Sequence, residues 1–393
     1  MREDTDVYNY ASRLEKFLSS FKKTEEISNE NKQLILEFAN NCLAESISKG
    51  RVIKYVCTLK TLAKLLGKPF EDVERQDVIN LVAKIEQSNY SEWTKKDFRV
   101  TLKKFFKWLR KTEEYPPEVR WLKTSMKNEK KLLPDEILTE EEIKKIASAA
   151  LNARDRALVL VLYESGARIG EFLSLKMKHV IEPSDGLGEI IVLNGKTGLR
   201  RIRIVASKQD LLSWINMHPF KDNPEAYVWI NLGNRNRFKP LKYSAVNNVL
   251  NELAQRAGIK KKVNPHAFRH ARATHLATKL TEQQLKQFFG WVQGSDMAAT
   301  YVHLSMRDLD SAILELHGIH VEKERREKFE RRICPRCDTE NSLTAKFCLK
   351  CGFVLSMETE KKLKEWEAVK NEILSDLEFI NFLSKKIKKR FLS

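Results

Sequence analysis

The chain has 393 residues, enough for two or three domains and too many for a single core. Its hydrophobic fraction of 42% excludes disorder throughout, and 71 Lys and Arg against 53 Asp and Glu leave a formal charge of +18. That excess implies a polyanionic partner, nucleic acid ahead of a membrane surface. No apolar run reaches the ~18 residues of a membrane-spanning helix, and the polar start MREDTDVYNY carries no secretory signal. A cytoplasmic, nucleoid-associated protein with no membrane span is expected.

Residues 1–125 read as a helical domain. Val52, Val56, Leu59, Leu62 and Leu66 recur at spacings of three and four, as do Phe98, Leu102, Phe105 and Leu109. Gly67-Lys68-Pro69 breaks one helix from the next, and Tyr115-Pro116-Pro117 closes the last strong one. The stretch from Lys95 to Lys111 carries Lys95, Lys96, Arg99, Lys103, Lys104, Lys107, Arg110 and Lys111, with Asp97 as its one acid. A solvated helix face normally mixes signs. This one predicts DNA-phosphate contacts from Lys95, Lys96, Arg99, Lys103, Lys104 and Lys107. Cys42 and Cys57 lie on apolar helical stretches and read as buried small residues.

A polar linker at 126–136 leads into a second domain at 137–320. Thr139 is a helix cap with Glu142 three residues on, and 156–165 is an apolar helix stopped by Gly166. Residues 188–206 form a hairpin, with strands at 190–193 and 201–205 around an Asn-Gly turn at 194–198. Arg201 and Arg203 on its return strand are further candidate DNA contacts. Residues 266–317 are helical again, with an irregular loop around 293–295.

A charged linker at 321–332 precedes a module at 333–356. Cys334, Cys337, Cys348 and Cys351 follow C-x2-C-x10-C-x2-C, which in a reducing compartment signals a metal site. Four thiolates complete a tetrahedral shell and leave no position for water, so structural zinc is expected. The ribbon has three open roles: contacting DNA, contacting an accessory protein, or purely stabilising. In the final segment, 357–393, Leu363, Trp366, Val369, Ile373, Leu377, Ile380, Leu383 and Ile387 define one amphipathic helix. It can pack back on the catalytic domain, bind a neighbouring subunit or lie on a membrane.

Three segments carry chemistry. In ESGARIGEFLSLK, Glu171 lies one helical turn after Arg168, either as an oriented phosphate ligand or as a plain surface ion pair. In NPHAFRHARATHLA, Pro265 starts a helix and His266 and Arg269 share a face near its anion-attracting end. The alternative is a capped helix with an incidental histidine. In FFGWVQGSDMAATYVHLS, Tyr301 follows Ala298, Ala299 and Thr300, behind a loop loosened by Gly290, Gly294 and Ser295. That tyrosine can be presented to a substrate or buried in a core.

Taken in order, A-R-I-G-E, the N-G-K-T-G turn, P-H-A-F-R-H-A-R-A-T-H-L and G-W…A-T-Y-V-H-L resemble the tyrosine recombinases, the phage integrase family. The resemblance is specific across 156–316 and carries no motif in 1–125 or 321–393. It implies a mainly α fold with a small antiparallel β-sheet in the catalytic domain (α+β), after a helical core-binding domain. It implies Tyr301 as the nucleophile, giving a 3′-phosphotyrosine and a free 5′-hydroxyl. Arg168 and Arg269 hold the non-bridging oxygens, Glu171 supports Arg168, Lys196 protonates the leaving oxygen and His266 assists. Trp291 stands where many members have histidine, and can donate a hydrogen bond but no proton. Trp291 to Tyr301 is one residue longer than the commonest spacing, and His270, His275 and His303 read as structural or phosphate-near. No cofactor is implied for catalysis. The partners implied are double-stranded DNA and copies of the chain, a dimer on each core site and a tetramer in synapsis, with 309–316 as an exchanged element. Integration or excision of a mobile element is favoured over Xer-like resolution of chromosome dimers; a regulatory DNA-binding protein on the same fold is the non-enzymatic rival.

Overall fold

In the computed structural model the described residues are 6–125, 134–195, 198–304, 313, 314, 316, 317, 329–375 and 386. The chain divides into two compact units, Met1–Leu132 and Leu133–Ser393.

The first unit is built from the helices Tyr10–Lys22, Asn29–Ala44, Lys49–Leu66, Arg75–Gln87, Glu92–Leu109 and the short Pro117–Arg120. Ser28 and Ser91 cap two of them, accepting from the amides of Asn31 and Thr94. Val52, Val56, Leu59 and Leu62 are fully buried, as are Leu102 and Phe105. Leu66 and Leu109 pack at the edge of this core. Phe105 meets Phe38 edge-on at 5.3 Å and Phe70 at 4.7 Å. Asn31, 2% exposed, bonds the Lys68 carbonyl and the Phe70 amide, which fixes the Gly-Lys-Pro break against the second helix. Cys42 is buried, but Cys57 is exposed, contrary to expectation. Val56 and Leu59 take the inward face of that helix, and Cys57 lies between them on the outward side.

In the second unit, Thr139 and Glu142 form the expected capping box at the start of Glu140–Ser148. Helix Ala153–Ser165 begins three residues before the expected start, because Asn152 caps it by accepting from the Asp155 amide. It is buried nearly all round by Glu140–Ser148, Lys208–Met217 and Pro265–Ala277. A three-stranded antiparallel sheet follows: β1 Val180–Ile181, β2 Glu189–Gly195 and β3 Gly198–Ile204, with Ile191 opposite Ile202. Pairing extends to Gly195 opposite Gly198, so Asn194 and Gly195 are strand residues and not part of the expected turn. The buried Glu164 carboxylate accepts from the amides of Val205, Ala206 and Ser207 and from the Ser207 hydroxyl, joining the end of β3 to the central helix. Helices Tyr243–Arg256, Pro265–Ala277, Glu282–Phe289 and Met297–Leu304 complete this mainly helical, α+β arrangement.

The cysteine module carries a two-stranded sheet, β4 Arg332–Ile333 with β5 Glu340–Asn341, and is followed by helix Met357–Ser375. On that helix Leu363, Trp366, Val369 and Ile373 are all exposed. No helix among the described residues is long and apolar enough to cross a membrane. The segments 126–133, 318–328, 376–385 and 387–393 lie outside the described residues, as does most of 309–316.

Candidate active site and metal cluster

The site forms where four helix ends meet beside the end of β2 at Gly195. Gly166, at φ 54°, terminates the central helix, and a Cβ there would fall 2.4 Å from Phe289. Its carbonyl accepts from Arg269 Nη1 at 2.7 Å, while the Phe289 carbonyl accepts from Nη2 at 2.8 Å. Arg269 is 5% exposed and lies over the Phe289 and Trp291 rings. Burial, then the charges of Arg168 and Arg200, act against its protonated form.

Arg168 stands immediately before helix Ile169–Leu173. It donates from Nη1 to Glu171 Oε1 at 3.0 Å and from Nη2 to the Gly290 carbonyl at 3.0 Å. Glu171 is 5% exposed, so the sequence pair is no surface salt bridge. Burial opposes its charge, but Arg200 and Arg168 outweigh that and hold the carboxyl below its ordinary value. The carboxylate lies so close to the hairpin that a Cβ on Gly195 would fall 2.2 Å from Oε1.

Helix Pro265–Ala277 starts at Pro265 behind an Asn264 cap and supplies His266, Arg269 and His270. His266 is exposed, and its ring lies 4.6 Å from that of His270. The Tyr301 hydroxyl hydrogen-bonds to His270 Nδ1. Trp291 is stacked between Phe289 at 4.8 Å and Tyr301 at 5.5 Å, with only 2° between the Trp291 and Tyr301 planes. Tyr301 is 3% exposed. Burial pushes the phenol up to about 12 against the pull of Arg269, and pulls His270 down to about 4 with help from His266 and Arg269.

Arg168, Glu171, His266, Arg269, Trp291 and Tyr301 therefore join one contact network. The small residues before Tyr301 allow a presented phenol; instead Ala298 packs inward with it and Trp291 covers the ring. Lys196 lies outside the described residues, and nothing is described of the His303 side chain. His275 bonds the Tyr163 hydroxyl, not this network. Sequence reasoning missed two members, Arg200 and the role of His270. Arg200 was legible in the strand alternation: Arg200, Ile202 and Ile204 point inward, while Arg201 and Arg203 are exposed. Arg200 Nη2 donates to Glu171 Oε2 at 2.6 Å.

The basic helix of the first unit differs from expectation. Lys95 is 8% exposed and donates to the Glu86 carbonyl. Arg99 pairs with Glu86, Lys104 with Glu45 and Arg110 with Glu118, and Lys103 donates to the carbonyls of Arg120 and Leu122. Glu92 on the same helix also pairs with Lys95, and the other balancing acids come from neighbouring segments. Lys96 lies over Trp93 and Lys107 over Tyr115. In the second unit Arg203 pairs with Asp185, and Arg201 is exposed.

The four cysteine sulfurs lie within 4.8 Å of one another, with Cys334–Cys351 and Cys337–Cys348 at 3.5 Å. A tetrahedral Zn–S bond of ~2.3 Å places sulfurs about 3.8 Å apart, so the cluster fits such an ion. Two matching knuckles shape it. In each, a backbone amide closes the turn: Asp338 donates back to the Cys334 carbonyl and Gly352 to that of Cys348, each at 2.9 Å. Both residues have positive φ, 52° and 71°. The ribbon is held by Asp210, 2% exposed, which accepts from the Ser342 hydroxyl at 2.6 Å and the Leu343 amide at 3.2 Å.

Residues 136–308 match the phage integrase family, and residues 42–113 match the phage integrase N-terminal SAM-like domain. The chain is 32% identical over 259 residues to tyrosine recombinase XerA of Pyrococcus horikoshii, covering 65% of this chain and 82% of that protein. It is 29% identical over 181 residues to transposase A of transposon Tn554 from Staphylococcus aureus, covering 44% and 50%. Among solved structures, XerH bound to a palindromic difH substrate shares its fold at a TM-score of 0.55 and 18% identity, over 81% of this chain and 98% of that one. A lambda integrase dimer on a COC′ core site does so at 0.54 and 16%, over 68% and 76%. The arginine–tyrosine network thus lies within the matched region, and the chain belongs to the tyrosine recombinase (phage integrase) family, enzymes that cut and rejoin DNA strands.

Proposed function

We propose that the chain is a site-specific recombinase of duplex DNA acting through Tyr301. The observation that carries this reading is the joining of Arg168, Arg269, Trp291 and Tyr301 in one network beside His266. The phenol oxygen attacks the scissile phosphorus, its proton passes to His266 as base, and the bond to the 5′-oxygen breaks. A 3′-phosphotyrosine and a 5′-hydroxyl result, and the reverse step with another strand's 5′-hydroxyl rejoins DNA. Arg168 and Arg269 neutralise the non-bridging oxygens, where charge grows in the transition state. Trp291 donates its indole N–H to one of those oxygens, and Lys196 delivers the proton to the leaving 5′-oxygen. His266, near both guanidiniums, is held below its ordinary value by desolvation and by Arg269 and Arg168; an entering phosphate opposes the latter effect. The phenol must leave its contact with His270 for attack, because it is 3% exposed.

Integration or excision of a mobile element is the preferred role. The similarity to Tn554 transposase and the four-cysteine ribbon and tail beyond the matched region support it. Resolution of chromosome dimers is the second reading, supported by identity to XerA over 82% of that protein. Dimers on core sites and tetramers in synapsis follow from either. Zinc in the four-cysteine cluster would supply folding stability, held by Cys334, Cys337, Cys348 and Cys351.

The test is recovery of the covalent adduct. Denaturing lysis of cells expressing the chain should yield protease-sensitive protein–DNA complexes whose sequences share one site. A nicked duplex carrying that site should trap the adduct in vitro. Tyr301→Phe should abolish it and leave DNA affinity within about twofold; an adduct that persists in this variant would make another residue the nucleophile. Recovered ends at element boundaries favour integration, and a single chromosomal locus favours resolution.

A further inference from the structure

We propose that Arg200 is a third guanidinium of the active site and binds the scissile phosphate directly alongside Arg168 and Arg269. The inference rests on the recombinase reading and adds a ligand to that site.

Arg200 lies on β3, two residues after its first residue, on the inward-facing alternation with Ile202 and Ile204. Its side chain is 10% exposed, and Nη2 donates to Glu171 Oε2. Glu171 Oε1 accepts from Arg168 Nη1, so the two guanidiniums grip opposite oxygens of one carboxylate. The charge of Arg200 is also felt at Arg269. Three cations thus share one anion, Glu171, and two of them, Arg200 and Arg269, hold their charge largely away from water. Such a surplus is unfavourable unless an anion enters.

The second observation is independent of charge. Arg200 Nε and Nη1 are both buried and have no hydrogen-bond partner among the described residues. Buried guanidinium donors are normally satisfied, and an unmade pair is costly. They lie on different edges of the guanidinium, so each can donate its own hydrogen bond to an oxygen of an entering phosphate diester. A purely structural partner of Glu171 would need only the Nη2 bond it already makes. Arg168 spends Nη1 on Glu171 and Nη2 on the Gly290 carbonyl, and Arg269 spends both terminal nitrogens on the carbonyls of Gly166 and Phe289. Arg200 is the one of the three that keeps two buried donors free of described partners.

The experiment uses the full chain and a nicked duplex bearing the recovered site, with either a phosphate or a neutral methylphosphonate at the scissile position. Wild type, Arg200→Ala and Arg200→Lys are compared for adduct rate, DNA affinity and thermal unfolding. On the phosphate, Arg200→Ala should slow adduct formation about 10- to 1,000-fold, with affinity held within about threefold. Arg200→Lys, which keeps the charge without the planar guanidinium donors, should recover part of the rate. On the methylphosphonate, one oxygen charge is gone, and the deficit of Arg200→Ala relative to wild type should shrink at least tenfold. An equal deficit on both substrates would mean that Arg200 acts only by holding Glu171, and no deficit would mean that it has no part; either overturns the proposal. If Arg200→Ala fails to fold, Arg200→Lys carries the same comparison. Failure of wild type to form any adduct would instead strike the recombinase reading.

Discussion

Glu171 shows how closely one side chain can be specified. Its carboxylate binds two guanidiniums and touches the Gly195 backbone, with no room for a methyl group. Gly195→Ala should therefore displace Glu171 and with it Arg168 and Arg200. We expect a loss of about 1–3 kcal/mol in chemical denaturation and at least a tenfold slower adduct formation, with DNA binding retained. An adduct rate equal to wild type would show that Glu171 tolerates the shift. Tyr301 and His270 also predict a pH response. His270 resists protonation in the fold, so between about 6.5 and 4 the unfolded chain binds more protons and stability falls as pH falls. Tyr301 resists ionisation, so between about 10 and 12 the unfolded chain loses protons first and stability falls as pH rises. Unfolding free energies followed across both windows check the signs, with Tyr301→Phe flattening the alkaline one.

Among the elements, the ribbon is fastened by a single buried carboxylate. Asp210 lies in the first turn of Lys208–Met217, accepts from Ser342 and Leu343 and forms an ion pair with Arg156. A second contact sets Phe329 edge-on against Tyr163 at 4.7 Å, with its amide donating to Glu140. Asp210→Ala removes the acceptor for two ribbon donors and leaves Arg156 uncompensated, a cost of about 2–4 kcal/mol. Limited proteolysis should then release the ribbon faster, and a chelator should strip zinc loaded into the four-cysteine cluster faster than from wild type. Unchanged rates would mean that the contacts around Phe329 hold it alone. The hairpin is fastened in the same manner, by Glu164 and three consecutive amides.

For the molecule as a whole, a charge of +18 requires DNA binding that weakens steeply with salt. The slope of log K against log salt should fall by about 2 in a Lys96→Ala, Lys107→Ala double variant, because both amines lie over aromatic rings that are themselves exposed, where a phosphate can reach them. Lys95→Ala should leave the slope unchanged and lower stability, since Lys95 is buried against the Glu86 carbonyl. A reversed outcome would return the phosphate-tracking role to the buried side of that helix.

The helices, the Thr139 cap, the start at Pro265 and the two C-x2-C pairs were legible because each rests on neighbours within four residues, whereas the hairpin was legible as two apolar runs but not in its turn. The candidate site residues were named through the resemblance to a family, which gives residue types in order without their surroundings. Three things depended on how distant segments pack. Three cations of the apparent all-positive face, Arg99, Lys104 and Arg110, pair with Glu86, Glu45 and Glu118 from other segments, since a helix reveals only its own charges. The phenol, which the sequence left either presented or buried, is enclosed by Trp291 and His270, which approach it from the preceding loop and another helix. Arg200 became part of the site only when β3 brought it to Glu171, 29 residues away in sequence, because a strand's alternation tells which side chains face inward but not what they meet there.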